Sequence, residues 1–152
     1  MDALFIQKEV EALTEDCPYL TANLSNTAAL LWQELTEINW VGFYELRGSS
    51  LILGPFQGKP ACIQIPVGKG VCGTAVSQDR MQRIEDVHSF PGHIACDSAS
   101  NSEIVIPLHK NGEIWGVLDI DSPVKGRFTG EDGEALLKIS RAIEEFLSRS
   151  VK

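Results

Sequence analysis

The chain has 152 residues, 43% of them hydrophobic and 22% charged, with a formal net charge of −8. That balance fits one domain with a real apolar core and excludes a disordered chain, while the scattered Lys and Arg argue against nucleic acid or an anionic membrane surface as partner. The opening "MDALFIQKEVEALTED" mixes charge into its apolar residues and lacks a signal-peptide core, and no segment reaches the roughly 20 apolar residues of a membrane helix.

A cytoplasmic location is therefore expected. In a reducing compartment, Cys17, Cys62, Cys72 and Cys96 read as packing residues, metal ligands or redox groups rather than as a permanent disulfide framework.

Along the chain, residues 24–38 place Leu24, Ala28, Leu31, Leu35 and Ile38 at helical spacing, with Ser25 or Asn26 as the expected cap. Cys17, in "TEDCPYL", reads as structural. Strand character follows at 39–46, 50–56, 61–67, 82–87, 102–108 and 113–121, separated by Gly, Pro, Asn and Ser. The C-terminal stretch 129–147 opens with Thr129 three residues before Asp132, a capping-box pattern, and carries Leu136, Ile139, Ile143 and Phe146 on one stripe. The expected architecture is a single α+β domain over residues 1–152, with an antiparallel sheet of about six strands and terminal helices packed on one side.

Several stretches carry possible chemistry. "PVGKGVCGTAVSQ" does not have P-loop spacing, because Lys69 precedes the closing glycine and no Ser or Thr follows it. It reads as a strand, a Gly turn and a helix starting near Val71. That places Cys72 in the first turn, where the helix dipole favours a thiolate, unless it is a packing residue. Trp40 and Tyr44 share a strand face and form either an apolar ligand wall or part of the core.

In "VLDID", alternation puts Asp119 and Asp121 on one face, as a polar site or a solvated strand end. Whether Glu103 joins them depends on the "KNG" hairpin. A three-residue loop, 110–112, sets Glu103 opposite Asp119; an Asn-Gly loop sets it opposite Ile120 and facing away. Clustered carboxylates raise the pKa of at least one member and can hold an ammonium group or a transferable proton.

Cys96 lies three residues after His93 and beside Asp97. A nearby imidazole favours the thiolate and the aspartate opposes it. A zinc set of His88, His93, Cys72 and Cys96 is conceivable, but no CxxC pair or other compact ligand signature supports it.

Taken together, "NWVGFYEL", "LGPFQGKPACIQIPVGKGVCGTA", "FPGHIACDSASNSEIVIPL" and "GVLDIDSP" resemble the free methionine-(R)-sulfoxide reductases, small enzymes with a GAF fold. The resemblance runs from about residue 24 to the C-terminus, and the cysteines at 62, 72 and 96 are its most specific mark. It implies reduction of free methionine-(R)-sulfoxide, with Cys96 as nucleophile, Cys62 as main resolving cysteine and Cys72 as alternative disulfide partner. It also implies Glu103, Asp119 and Asp121 as substrate-binding acids, and Trp40 and Tyr44 as the pocket for the methyl group. Thioredoxin or a similar external dithiol would restore the enzyme, with no metal or bound cofactor, and the assembly would be a homodimer. A GAF-type sensor that binds a small molecule or reports oxidation without turnover is the rival reading.

Overall fold

The computed structural model describes residues 1–93 and 99–151. In chain order the elements are α1 (Ala3–Thr14), α2 (Leu20–Glu34), β1 (Trp40–Arg47), β2 (Ser50–Gly58), β3 (Gln64–Pro66), α3 (Gly70–Gln78), β4 (Gln82–Ile84), β5 (Ser102–Lys110), β6 (Glu113–Ser122) and α4 (Gly130–Arg149). The six strands form one sheet in the order β3-β2-β1-β6-β5-β4, and every neighbouring pair is antiparallel. Strand alternation gives this sheet two different faces. One carries Val41, Phe43, Ile104, Ile106, Leu108, Leu118 and Ile120 and packs against apolar residues of α1, α2 and α4. The other carries Trp40, Tyr44, Val105 and Val117 and packs against Val71, Cys72, Ala75 and Val76 of α3. The expectation of terminal helices on one side holds, and α3 packs on the other together with loop residues such as Ala61 and Phe90.

Helix α2 departs from its expected bounds. It starts at Leu20 without a side-chain cap, and neither Ser25 nor Asn26 caps it. A distant segment supplies the acceptor instead: the Leu20 amide donates to the Val151 carbonyl at 3.3 Å, and the Val151 amide donates to Pro18 at 2.7 Å. The buried Asn23 side chain adds a bond to the Cys17 carbonyl at 2.9 Å. Helix α4 begins as the sequence predicts. Thr129 Oγ1 accepts from the Asp132 amide at 3.1 Å, and Asp132 Oδ2 accepts from the Thr129 amide at 3.0 Å. Two strands are shorter than expected. β3 loses residues 61–63 and 67 to loops, and β4 stops at Ile84 because Asp86 caps a 3-10 turn over Val87–Ser89.

The β5–β6 hairpin matches neither simple register. Its tip is the two-residue Asn-Gly turn, with Lys110 opposite Glu113 and positive φ at both Asn111 (54°) and Gly112 (82°). The pairing then shifts between Leu108 and His109: His109 lies opposite Ile114 but Leu108 opposite Gly116, so Trp115 is an extra residue on β6. Beyond this bulge Glu103 pairs with Asp121 and Val105 with Asp119. One inserted residue restores the parity that the tight turn would have lost.

The bulge is tied down on its outer side. The His109 amide donates to Glu144 Oε2 of α4 at 2.6 Å, and the His109 ring bridges Glu144 at 2.9 Å and Asp79 at 2.7 Å. Just inside it, Gly116 meets β1 so closely that a Cβ would lie 2.0 Å from the Tyr44 carbonyl oxygen. Gly116→Ala is therefore expected to lower unfolding free energy in urea by about 2 kcal/mol or more. Gly130→Ala, where a Cβ would meet nothing within 4 Å, should be neutral or stabilising by a few tenths of a kcal/mol at this first helical position. Burial opposes charge on the His109 imidazole, but its bonds to Asp79 and Glu144 outweigh that and raise its pKa above the usual value. A raised folded-state pKa gives stability that is present below the unfolded value and is lost as pH rises through the folded one. Urea melts of wild type should thus weaken as pH rises above about 6.5, and His109→Gln should flatten that trend.

Candidate active site

The α3 face of the sheet holds a cleft lined by Trp40, Tyr44, Pro60, Ala61, Ile65, Gly70, Val71, Cys72, His93, Ser100, Glu103, Asp119 and Asp121. Cross-strand pairing explains its polar floor. Trp40 lies opposite Asp121 and Tyr44 opposite Val117 across β1–β6, while Glu103 lies opposite Asp121 across β5–β6. Glu103, Asp119, Asp121, Trp40 and Tyr44 therefore all reach one side. Asp119 and Glu103 are each 6% exposed, which makes this a buried acid cluster rather than a solvated strand end.

Burial sets the protonation of the cluster. Loss of water, followed by the charges of Asp119 and Asp121, pushes Glu103 well above the usual carboxyl range. Asp119 is also raised by burial, though less, because its bonds to Glu103, Cys72 and Asp121 oppose part of the effect. Glu103 is accordingly the carboxyl that keeps its proton and Asp119 the one that accepts. Asp119 Oδ1 is buried without a hydrogen-bond partner among the described residues. His93 borders the same group, its Nε2 3.8 Å from Glu103 Oε1, and burial lowers its pKa.

Cys72 departs from the helix-dipole expectation. It does sit in the first turn of α3, but it is 3% exposed. Burial, with the nearby charges of Asp119, Glu103 and Asp121, pushes its thiol well above the ordinary range. A thiol that has lost its water and faces carboxylates stays protonated, because burial first and the neighbouring acids second both oppose the thiolate. Cys72 is a free thiol, whereas Cys62 is disulfide-bonded.

Trp40 and Tyr44 are more than a wall. Trp40 stacks on Phe56 at 5.2 Å between ring centroids and on Tyr44 at 6.0 Å. Trp40 Nε1 donates to the Lys59 carbonyl at 3.1 Å, and the Tyr44 hydroxyl donates to the Cys62 carbonyl at 2.8 Å. The two aromatic rings thus pin the loop that carries Cys62 to the rim of the cleft. Burial, then the charge of Asp119, raises Tyr44 far above its usual pKa, so the phenol remains a donor.

At the other rim, α3 presents its first amides. Lys69 precedes the helix without a side-chain cap, and the first intrahelical acceptor is taken by Gly73, which donates to Lys69 at 3.0 Å. The amides of Gly70, Val71 and Cys72 lie ahead of that point and have no helical acceptor, so they are available to an anion.

Cys96 lies outside the described residues. The zinc set read from the sequence is not assembled: the His88 side chain is 61% exposed, bonds Asp86 at 2.8 Å and does not line the cleft. A different trio does converge, since donor atoms of Cys72, Glu103 and Asp119 lie within 4.8 Å of one another. Sequence reading missed Ser100, which gives no signal in a run of small polar residues. It also missed the juxtaposition of Cys72 with the acids, which belong to elements far apart in the chain.

Comparison with known proteins agrees with this geometry. The GAF domain family matches residues 20–146. The chain is 56% identical over 143 residues to the free methionine-R-sulfoxide reductase of Escherichia coli, covering 94% of this chain and 87% of that one. The reduced form of fRMsr from Staphylococcus aureus superposes with a TM-score of 0.93 at 54% identity, covering 97% of this chain and 96% of that one. The free methionine-R-sulfoxide reductase of Neisseria meningitidis, solved in complex with its substrate, gives a TM-score of 0.90 at 40% identity over 95% of this chain and 87% of that one. By sequence, by fold and by the acids and aromatics gathered under α3, this chain belongs to the free methionine-R-sulfoxide reductases of the GAF fold.

Proposed function

We propose that this chain reduces free L-methionine-(R)-sulfoxide to methionine. The observation that carries the reading is the cluster of buried Glu103 and Asp119 with half-buried Asp121 beside Trp40 and Tyr44, in a cleft edged by the first turn of α3. A free amino acid presents an ammonium, a carboxylate and a side chain, and each has a counterpart here. Asp119 and Asp121 hold the ammonium, the amides of Gly70, Val71 and Cys72 hold the carboxylate, and the aromatic rings receive the methyl group. Peptide-bound sulfoxide lacks both charges and is excluded.

In the chemical step the Cys96 thiolate attacks the sulfoxide sulfur while Glu103 delivers its proton to the sulfoxide oxygen. Oxygen passes to cysteine, two electrons pass to the substrate sulfur, and the products are Cys96 sulfenic acid and methionine. The Cys62 thiol then condenses with the sulfenic acid, expelling water and leaving a disulfide; Cys72 is the alternative partner. The disulfide bond at Cys62, in a loop held by Trp40 and Tyr44, supports its resolving role. An external dithiol of the thioredoxin type opens that bond by exchange, with no metal or bound cofactor in the cycle, in a cytoplasmic setting. No described helix is long and apolar enough to cross a membrane.

A homodimer accords with the apolar side chains left exposed on the outer helices, Leu4, Phe5 and Leu13 of α1 and Leu137 of α4. Sedimentation equilibrium should give twice the chain mass, and a monomer for Phe5→Glu; a wild-type monomer would remove the dimer.

The deciding assay is methionine formation from the free (R)-epimer with excess dithiothreitol, with the (S)-epimer as control. Turnover is expected for wild type and none for Cys96→Ser. Glu103→Gln should lower kcat by about 100-fold or more. Because the acid must be protonated, wild-type kcat/KM should fall as pH rises through the raised Glu103 pKa, and that limb should be absent in Glu103→Gln. Ligand binding with no methionine formed by a folded, reduced protein would leave the sensor reading in its place.

A further inference from the structure

Three residues that sulfoxide reduction uses singly in this cleft also form, together, a donor set of a second kind. Cys72 Sγ and carboxylate oxygens of Glu103 and Asp119 lie within 4.8 Å of one another, on three residues each at most 6% exposed. A tetrahedral zinc ion, with bonds of about 2.0–2.3 Å, separates its ligands by about 3.5 Å. Modest side-chain rotations therefore close the trio around one ion.

Two further observations point to a cation. Asp119 lines the cleft, and its Oδ1 is buried with no hydrogen-bond partner among the described residues, a state that a charged acceptor does not hold without cost. The lining includes no Lys or Arg among the described residues, so no side-chain cation there competes with a metal ion. His93 Nε2, 3.8 Å from Glu103 Oε1, is within reach as a fourth ligand, and burial favours its neutral, ligating form.

We propose that Cys72, Glu103 and Asp119 form a binding site for a thiophilic divalent cation of the zinc class, whose occupation is mutually exclusive with an amino-acid ligand in the cleft. Binding displaces the Cys72 and Glu103 protons: two protons leave, one metal–sulfur and two metal–oxygen bonds form, and no electron is transferred. Affinity consequently rises with pH. The thiolate selects zinc and cadmium over magnesium and calcium, which prefer oxygen donors alone. Metal capture depends on the cluster and not on turnover, so it can be read without any substrate.

The test is titration of fully reduced protein with zinc chloride against a chromophoric chelator, and with cadmium chloride followed by the ultraviolet thiolate-to-cadmium charge-transfer band. Wild type, Cys17→Ser and a Cys62→Ser/Cys96→Ser double variant should each bind one equivalent and show the band. Cys72→Ser should lose the band, and Cys72→Ser and Asp119→Asn should each bind zinc at least about tenfold more weakly. Excess magnesium should not compete. Absence of stoichiometric zinc or of the cadmium band in wild type would overturn the site without recourse to any variant. So would a band that survives Cys72→Ser, binding lost in the double variant, or zinc affinity unchanged in Asp119→Asn.

Discussion

Every acid in the cleft faces the same way because β6 carries one residue more than β5 at Trp115. Side chains alternate with a period of two, so a tight two-residue turn alone would have turned Glu103 toward the helices. The bulge reverses that parity and leaves the His109 amide outside the regular ladder. Glu144 accepts that amide and, with Asp79, grips the His109 ring. A hairpin irregularity is thereby fastened to α4 on one side and to the end of α3 on the other. The polar floor of the cleft depends on it.

Gathering carboxyl groups under a helix is electrostatically unfavourable, and the structure shows how the strain is spread. Glu103 retains a proton, Asp119 is the acceptor of the cluster, and Cys72 stays a thiol. A glutamate in water would be ionised at neutral pH, so the proton on Glu103 follows from loss of solvent and from the neighbouring charges, and the same surroundings hold the Cys72 thiol above its ordinary range. The arrangement that keeps a proton available at Glu103 also keeps Cys72 unreactive, which divides the labour among the cysteines. A thiol beside buried carboxylates suits reserve chemistry or metal capture better than attack.

The aromatic residues couple the floor of the cleft to its redox rim. Trp40 and Tyr44 project from β1 toward the acids, yet each spends its polar atom on the loop that carries Cys62. Packing of the sheet against α3 therefore fixes both the apolar wall and the position of Cys62, in a loop that lies beyond β2 in the chain. The opposite face contributes none of these groups. Its work is to bury an unbroken apolar surface under α1, α2 and α4, so that the polar face can be spent on chemistry.

The sequence by itself determined whatever depends on local pattern. Thr129 and Asp132 announce the start of α4 because both halves of a capping box lie within one turn. Strand alternation puts Asp119 and Asp121 together and Trp40 with Tyr44, since a period of two needs no knowledge of neighbours. The quoted motifs with their three cysteines also identify the family. Tertiary structure decided what depends on distant partners. It fixed the start of α2, where Val151 replaces a side-chain cap, and the side on which Glu103 emerges, which turns on one bulged residue. It also set the protonation of Cys72, which the helix dipole alone gets wrong: the acids facing it come from strands that only folding brings near, and burial removes the water that would have screened them.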